Sequence, residues 1–220
     1  FSVDWFWKSL EASLGRLRTD YLDVLLLHNP PSEIYAGTDP VWAALEDARV
    51  QGKIRHYGAS LDFAVEVEEC LANTNSEVLE VLFNVFHQDV RRAFEAVSEH
   101  SAGIITKVPL DSGWLTGRFD ANSQFEGIRA RWSREEIAQR AELVSEIAWL
   151  VEDGAELAHK AMGFLLSYDE VSCVIPGMRT QQQLASNLAA ADCHLSLDER
   201  TRLEAFWDQI TDEGSKLLPW

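Results

Sequence analysis

The chain has 220 residues, 46% hydrophobic and 25% charged, which is the ordinary composition of a globular protein able to bury one sizeable core. Its 36 acidic and 19 basic side chains give a formal charge of −17, which repels phosphate backbones and anionic lipid and argues against nucleic-acid or membrane-surface partners. Three cysteines without metal-ligand spacing, and no apolar run near the roughly 18 residues that span a bilayer, predict a cytoplasmic protein without a disulfide framework or a metal site.

Helices and strands alternate along the chain, and apolar periodicity together with glycine and proline marks their ends. Apolar side chains at Phe6, Leu10, Leu14 and Leu17 predict a first helix over residues 2–17. The predicted strands are 23–27, 53–60, 78–86, 103–109 and 172–176. The later predicted helices are 40–51, 62–73, 89–100, 134–151, 155–167, 180–190 and 197–209, and a polar loop over 111–133 interrupts the alternation.

The stretch VLLLHNPP, residues 24–31, is a short apolar run that ends in the turn signal Asn29-Pro30. Such a run is typical of a strand covered on both faces, as in a parallel sheet. His28 would then stand at the C-terminal end of the strand, where parallel α/β folds bind their ligands. A histidine satisfied by a nearby carbonyl is the alternative interpretation.

Five strands in alternation with helices predict an α/β fold with a parallel sheet, and they permit two architectures. One is an open doubly wound sheet, and the other is the last five units of an eight-stranded TIM barrel. The chain opens on a helix instead of a strand and a phosphate-binding turn, which favours the barrel with its N-terminal strands missing. We therefore expect a single domain over 1–220, incomplete at its N-terminus, with unpaired strand edges and an exposed flank of the core.

Two stretches carry the signals of an anion site. In VPLDSGWLTGR, residues 108–118, the glycines Gly113 and Gly117 let backbone N–H groups approach an anion, and Arg118 adds a positive charge. Turn chemistry alone is the alternative interpretation of these glycines.

The second stretch, IPGMRTQQQLASN at 175–187, combines a strand end, a glycine turn and a helix beginning near Thr180. The first N–H groups of such a helix and its dipole favour a phosphate. Arg179, Gln183 and Asn187 follow one another at spacings of four and so share one face. Without a ligand, Arg179 would be an ordinary exposed charge.

Together with SLEASLGRLRTDYLDVLLLHNP (9–30) and GKIRHYGAS (52–60), these two stretches resemble, in order, the later motifs of the aldo-keto reductases. The resemblance covers essentially the whole chain. It implies an eight-stranded barrel that reduces aldehydes and ketones to alcohols by hydride transfer from NADPH, with a small-molecule carbonyl compound as the substrate.

The resemblance also assigns roles to individual residues. His28 matches the catalytic histidine that orients the substrate carbonyl, and Ser60 resembles the serine that hydrogen-bonds the nicotinamide carboxamide. Glu80 or Asn84 falls near the position of a glutamine that assists the serine. The loop over the pyrophosphate corresponds to Val108, Pro109, Leu110, Ser112 and Arg118, and the site for the adenosine 2′-phosphate and adenine corresponds to Gly177, Arg179, Gln183 and Asn187.

Two positions of the cofactor site depart from the family pattern. Lys107 stands where an aromatic residue commonly stacks on the nicotinamide, and its aliphatic stem is the group left to cover the ring. Leu61 stands where an asparagine usually follows the serine. The apolar leucine side chain cannot make the polar contact of that asparagine, so only the Leu61 backbone is left to make one. The segment 119–133, with Arg129, Arg131 and Trp132, is a candidate lid over the pyrophosphate, and a solvated loop is the alternative interpretation. The loop 29–39 and the tail 211–220 are candidate substrate contacts.

The proton-donating tyrosine of the family, with its lysine and aspartate, belongs to barrel units upstream of residue 1. We therefore expect this 220-residue chain to be inactive by itself and to carry the cofactor site and one catalytic residue, His28. The competing hypothesis is an NADPH-binding regulatory module with lost or weak catalysis. The residues encoded upstream discriminate between the two.

Overall fold

The computed structural model describes residues 1–152 and 154–218, without the side chains of residues 128 and 129. The β-strands are β1 Leu22–His28, β2 Ile54–Leu61, β3 Val78–Leu82, β4 Gly103–Lys107 and β5 Val171–Val174. The α-helices are α1 Val3–Leu17, α2 Ser32–Tyr35, α3 Val41–Val50, α4 Ala64–Asn73, α5 Phe94–Glu99, α6 Arg134–Glu146, α7 Leu157–Leu165, α8 Gln181–Ala189 and α9 Leu197–Thr211. The predicted alternation of helices and strands is confirmed.

The chain divides into two compact units. The first comprises Phe1–Val81 and Val90–Ile105, and the second comprises Leu82–Asp89 and the chain from Thr106 onward. In the first unit the strand order is β1-β2-β3-β4, and β2 pairs in parallel with both β1 and β3. In the second unit β5 lies next to the end of β4 in the sheet, and the Ile175 N–H, directly after β5, donates to the Thr106 carbonyl at 3.1 Å. The prediction of a single domain stays a prediction.

Helix α1 follows the apolar stripe predicted for it over most of its length. Phe6, Leu10 and Leu14 are buried, whereas Leu17 is 64% exposed because the helix ends there and Arg18 turns into the left-handed region. The Ser2 hydroxyl accepts from the Trp5 N–H at 3.4 Å and so caps the first turn.

Strand β1 is less covered than its apolar sequence predicts. Leu27 is the one buried residue of the strand, Leu25 and Leu26 are half-buried, and Val24 is exposed. The prediction of a strand covered on both faces is therefore wrong. The physical reason is that β1 is an edge strand of the sheet formed by the described residues, whereas β2, which is flanked on both sides, is largely buried.

The core of the second unit is built on aromatic rings and on helix α7. Phe83, Phe164 and Tyr168 contact one another with ring centroids 5.3–5.7 Å apart. Leu203 and Trp207 on one face of α9 are also buried. By contrast, α8 has no buried residue, which places it at the periphery of the described part of this unit.

Several predicted elements are shorter than expected. The strand predicted over 78–86 ends at Leu82, and the chain then forms a turn in which Asn84 and His87 pair through their backbones. The helix predicted over 89–100 begins as a 3₁₀ segment, and the helix predicted over 134–151 ends as one after a break at Ile147. Within residues 1–152 and 154–218, no helix has the length and apolar character that crossing a bilayer requires.

Candidate functional site

In the first unit, three residues predicted for the site lie in one row across the sheet. The parallel register pairs His28 of β1 with Ser60 of β2, and Ser60 with Glu80 of β3. His28 is the last residue of its strand and is exposed, Ser60 is fully buried, and Glu80 is half-buried. The structure thus brings an imidazole, a hydroxyl and a carboxylate together near the C-terminal ends of neighbouring strands.

The loop after His28 is tied to this row. The Asn29 N–H donates to the Ser60 carbonyl at 3.1 Å, and the Ser60 hydroxyl donates to the Asn29 side-chain oxygen at 3.2 Å. Asn29 adopts a left-handed backbone conformation with φ 44°, which asparagine tolerates better than most residues. Leu61, one residue beyond Ser60, is buried at 2% exposure.

A cavity of about 180 Å³ opens beside His28. Most of the residues that line it belong to α1 and β1, among them Trp5, Phe6 and Leu25 to Leu27. Its wall is largely apolar, and His28 contributes the titratable group.

In the second unit, the segment that follows β4 has an unusual backbone. Val108, Asp111 and Ser112 have φ values of 55°, 43° and 54°. These are left-handed conformations that side chains disfavour, most strongly a β-branched valine. Lys107, half-buried, is the last residue of β4 and leads into this segment, which also contains the buried Pro109 and the half-buried Leu110.

Asn84 is fully buried and holds the start of this segment. Its amide Nδ2 donates to the Val108 carbonyl at 3.0 Å, and its Oδ1 accepts from the N–H groups of Phe86 at 2.9 Å and His87 at 3.1 Å. Asn84, which is predicted to lie near the nicotinamide, therefore also anchors the segment from Val108 onward that is assigned to the pyrophosphate.

A buried charged cluster beside the same segment was not predicted from the sequence. Arg140 of α6 donates through Nε to Asp111 Oδ2 at 3.1 Å, and His87 Nε2 lies 3.6 Å from Asp111 Oδ1. Asp111 and Arg140 are 0% and 1% exposed. Burial by itself would raise the pKa of the Asp111 carboxyl, but the close His87 ring and the charge and hydrogen bond of Arg140 hold that pKa below its ordinary value.

The N-terminus of α8 is organised by its own side chains. Thr180 Oγ1 accepts from the Gln183 N–H at 3.1 Å, and Gln183 Oε1 accepts from the Arg179 N–H at 2.7 Å. Gly177 and Arg179 are exposed, and Asn187 is half-exposed with its amide Nδ2 buried. That Nδ2 has no hydrogen-bond partner among the described residues.

The remaining predicted residues of the second unit lie at its surface or near it. Ser112 is half-buried, and Arg118 is exposed directly after Gly117, whose φ of 69° ends the 3₁₀ segment. Of the candidate lid and tail, the Arg129 side chain and residues 219–220 lie outside the described residues.

The sequence profile of the Aldo/keto reductase family matches residues 2–208 of the chain. The chain is 25% identical over 212 residues to the uncharacterized oxidoreductase YqkF of Bacillus subtilis (strain 168), covering 91% of this chain and 67% of that protein. It is 26% identical over 206 residues to the NADP(+) aldo-keto reductase yakc of Schizosaccharomyces pombe, covering 88% and 59%. It is 23% identical over 198 residues to the NADH-specific methylglyoxal reductase of Escherichia coli (strain K12), covering 86% and 60%.

Among solved structures, the chain is similar to the apo form of the aldo-keto reductase AKR11C1 from Bacillus halodurans. The TM-score is 0.76 at 22% identity, and the match covers 93% of this chain and 69% of that one. This likeness confirms the predicted α/β barrel fold, and the match to the family profile over residues 2–208 confirms the predicted family resemblance. The chain spans about 60% of the length of two of the three relatives named above.

Proposed function

This chain belongs to the aldo/keto reductase family, and on that premise we propose that it is the cofactor-binding part of an NADP(H)-dependent oxidoreductase that reduces aldehydes or ketones to alcohols. One observation carries the proposal: the row His28, Ser60 and Glu80, in which an exposed imidazole lies beside a buried hydroxyl at the strand ends. Barrels of this kind place their reacting groups at the C-terminal ends of strands.

Residues of the second unit fit a dinucleotide. The Asn187 amide needs an acceptor that the described residues do not supply, and a purine ring offers such acceptors. Arg179 is exposed next to the N-terminus of α8, where the helix dipole and a guanidinium both favour a phosphate group. This fit, together with the NADP(+) named for one relative, supports NADPH over NADH, although another relative is named for NADH.

The remaining assignments follow the family resemblance. Ser60 with Glu80 would hold the nicotinamide carboxamide, Lys107 would cover the nicotinamide ring with its aliphatic stem, and backbone N–H groups after Val108 would hold the pyrophosphate. Leu61 offers its backbone to the same end of the cofactor. When bound, the nicotinamide supplies the hydride.

His28 is assigned to the substrate carbonyl. A ring N–H donated to the carbonyl oxygen orients the carbonyl group and stabilises the negative charge that develops on that oxygen, which is worth about 10²–10³ in rate for a well-placed donor. Because His28 is the last residue of β1 and is exposed, a carbonyl compound can reach its ring from solvent or from the adjacent cavity.

The first test is a titration of the 220-residue chain with NADPH and with NADH, followed by tryptophan fluorescence. The second measures loss of nicotinamide absorbance with a panel of aldehydes, using the product of the complete coding region that contains this chain. We expect His28→Gln to lower kcat/KM by about 10²–10³ with unchanged affinity for NADPH.

The matched control is His100→Gln, the same change at an exposed histidine that ends α5, which should leave kcat/KM unchanged. A protein that binds NADPH and never oxidises it with any aldehyde would contradict the enzymatic proposal and identify a regulatory nucleotide-binding module. A protein that binds neither nucleotide would contradict both.

A further inference from the structure

The segment from Val108 to Gly113 adopts four positive φ values within six residues, and three of them belong to residues other than glycine. Such conformations persist only where the surrounding structure over-determines them, and they concentrate at ligand-binding and catalytic sites. Two sets of buried contacts on this segment supply that constraint.

The first constraint is the buried charged cluster of His87, Asp111 and Arg140, termed here the Asp111 network. It joins three separate parts of the second unit: the turn after β3, the left-handed segment after β4, and helix α6. The Arg140 guanidinium also lies 5.1 Å from the ring centroid of Trp132, which limits the positions that its side chain can take.

The second constraint is the bond from Asn84 Nδ2 to the Val108 carbonyl at 3.0 Å. Asn84 and His87 belong to one turn, in which each backbone N–H donates to the carbonyl of the other at 3.0 Å. A single turn therefore contacts the left-handed segment at two points, through the Asn84 hydrogen bond at its start and through the His87 ring, whose Nε2 lies 3.6 Å from Asp111 Oδ1.

Asp111 is an acidic residue inside a loop assigned to an anion. Because its carboxylate is fully buried and lies against Arg140 and His87, its charge is balanced within the protein instead of facing an incoming phosphate. The carboxylate thus constrains the backbone without opposing the ligand.

We propose that His87, Asp111 and Arg140 are positioning residues that hold Val108–Gly113 in its left-handed conformation, so that the backbone N–H groups of this segment are arranged for the pyrophosphate before the nucleotide arrives. This inference rests on the proposed function, since it presumes that the segment binds the nucleotide. A loop ordered in advance loses less entropy on binding, which raises affinity.

The test compares Asp111→Asn and His87→Gln with the wild type. Asp169→Asn is the matched control, because it makes the same chemical change at an exposed position in the same unit. Amide hydrogen exchange over 108–117 is measured without nucleotide. Affinity is then measured for NADPH and for adenosine 2′,5′-bisphosphate, which reaches the Arg179 side and lacks the second phosphate of the pyrophosphate.

We expect Asp111→Asn to accelerate exchange over 108–117 and to weaken NADPH binding about tenfold, while affinity for the bisphosphate changes less than about twofold. His87→Gln should act in the same direction with a smaller effect, and it carries the test if Asp111→Asn does not fold. Asp169→Asn should match the wild type in all three measurements.

Unchanged exchange, unchanged NADPH affinity, or an equal loss of affinity for both ligands would overturn the inference, the last because it indicates a general structural defect. A wild-type chain that binds neither ligand would refute the proposed function instead. In that case the exchange measurement still decides whether the Asp111 network holds the segment.

Discussion

Gly58 of β2 pairs with Val78 of β3 in close contact, and Gly58→Ala tests that approach. A Cβ atom built on Gly58 would overlap with the Val78 carbonyl oxygen and would lie 2.8 Å from the carbonyl carbon. These are backbone atoms of the paired strand, so they cannot rotate away, and the strands must separate. Insertion of one methyl group into a packed site typically costs 1–3 kcal/mol, and a backbone clash belongs at the upper end, about 3 kcal/mol.

For a chain of this size, about 3 kcal/mol corresponds to a fall in Tm of roughly 6–12 °C. Gly15→Ala is the matched control: Gly15 is exposed in α1, and its added Cβ would have no neighbour within 4 Å. Alanine favours a helix over glycine by about 1 kcal/mol, so this variant should gain roughly 2–4 °C. Thermal unfolding followed by circular dichroism measures both, and a Gly58→Ala chain as stable as the wild type would refute the close approach of the strands.

Three further predictions concern single side chains. Lys160 Nζ donates to Glu199 Oε1 at 2.7 Å and holds the pKa of Glu199 below its ordinary value. The ion pair therefore stabilises the folded state above about pH 4.3, and its contribution is lost as the pH falls through the lowered pKa. Denaturant unfolding from pH 7 to pH 3 should therefore show a smaller acid loss in Lys160→Met. Arg179→Ala should weaken NADPH binding about 10–100-fold and leave NADH binding unchanged in a fluorescence titration, and an equal effect on both would contradict a 2′-phosphate contact. Ser196→Ala removes the hydroxyl that accepts from the Glu199 N–H at 3.2 Å and should lower the free energy of unfolding by about 1 kcal/mol.

The order of elements was predictable because local signals mark each boundary. Asp39 stands before α3 and its Oδ1 accepts from the Val41 N–H at 2.8 Å, and Gly52 turns with φ 74° after the same helix. Thr180 likewise caps α8 through its hydroxyl. Capping and glycine turns depend on residues two or three positions apart, which a sequence displays directly.

The extent of β3 was not predictable from the same kind of signal. The apolar run continues to Phe86, and Phe83, Val85 and Phe86 are all buried, but the strand ends at Leu82. Hydrophobicity reports that a residue is buried, and it does not distinguish a strand from a buried turn. The Asn84 side chain explains why the strand ends there. Its amide hydrogen-bonds the Val108 carbonyl and the N–H groups of Phe86 and His87, which replaces the hydrogen bonds that a longer strand would make.

The candidate site shows the same limit over longer distances. Asp111 and Arg140 lie 29 residues apart, and nothing in the local pattern of either pairs them. In the structure, Val108, Asp111 and Ser112 stand where the chain turns left-handed, instead of the glycines that such turns favour. Glycine would relieve the strain at these positions and would also leave the loop with more conformations to lose on binding. Side chains that are costly locally and held by buried partners are therefore consistent with a loop whose shape is set during folding, before any nucleotide is present.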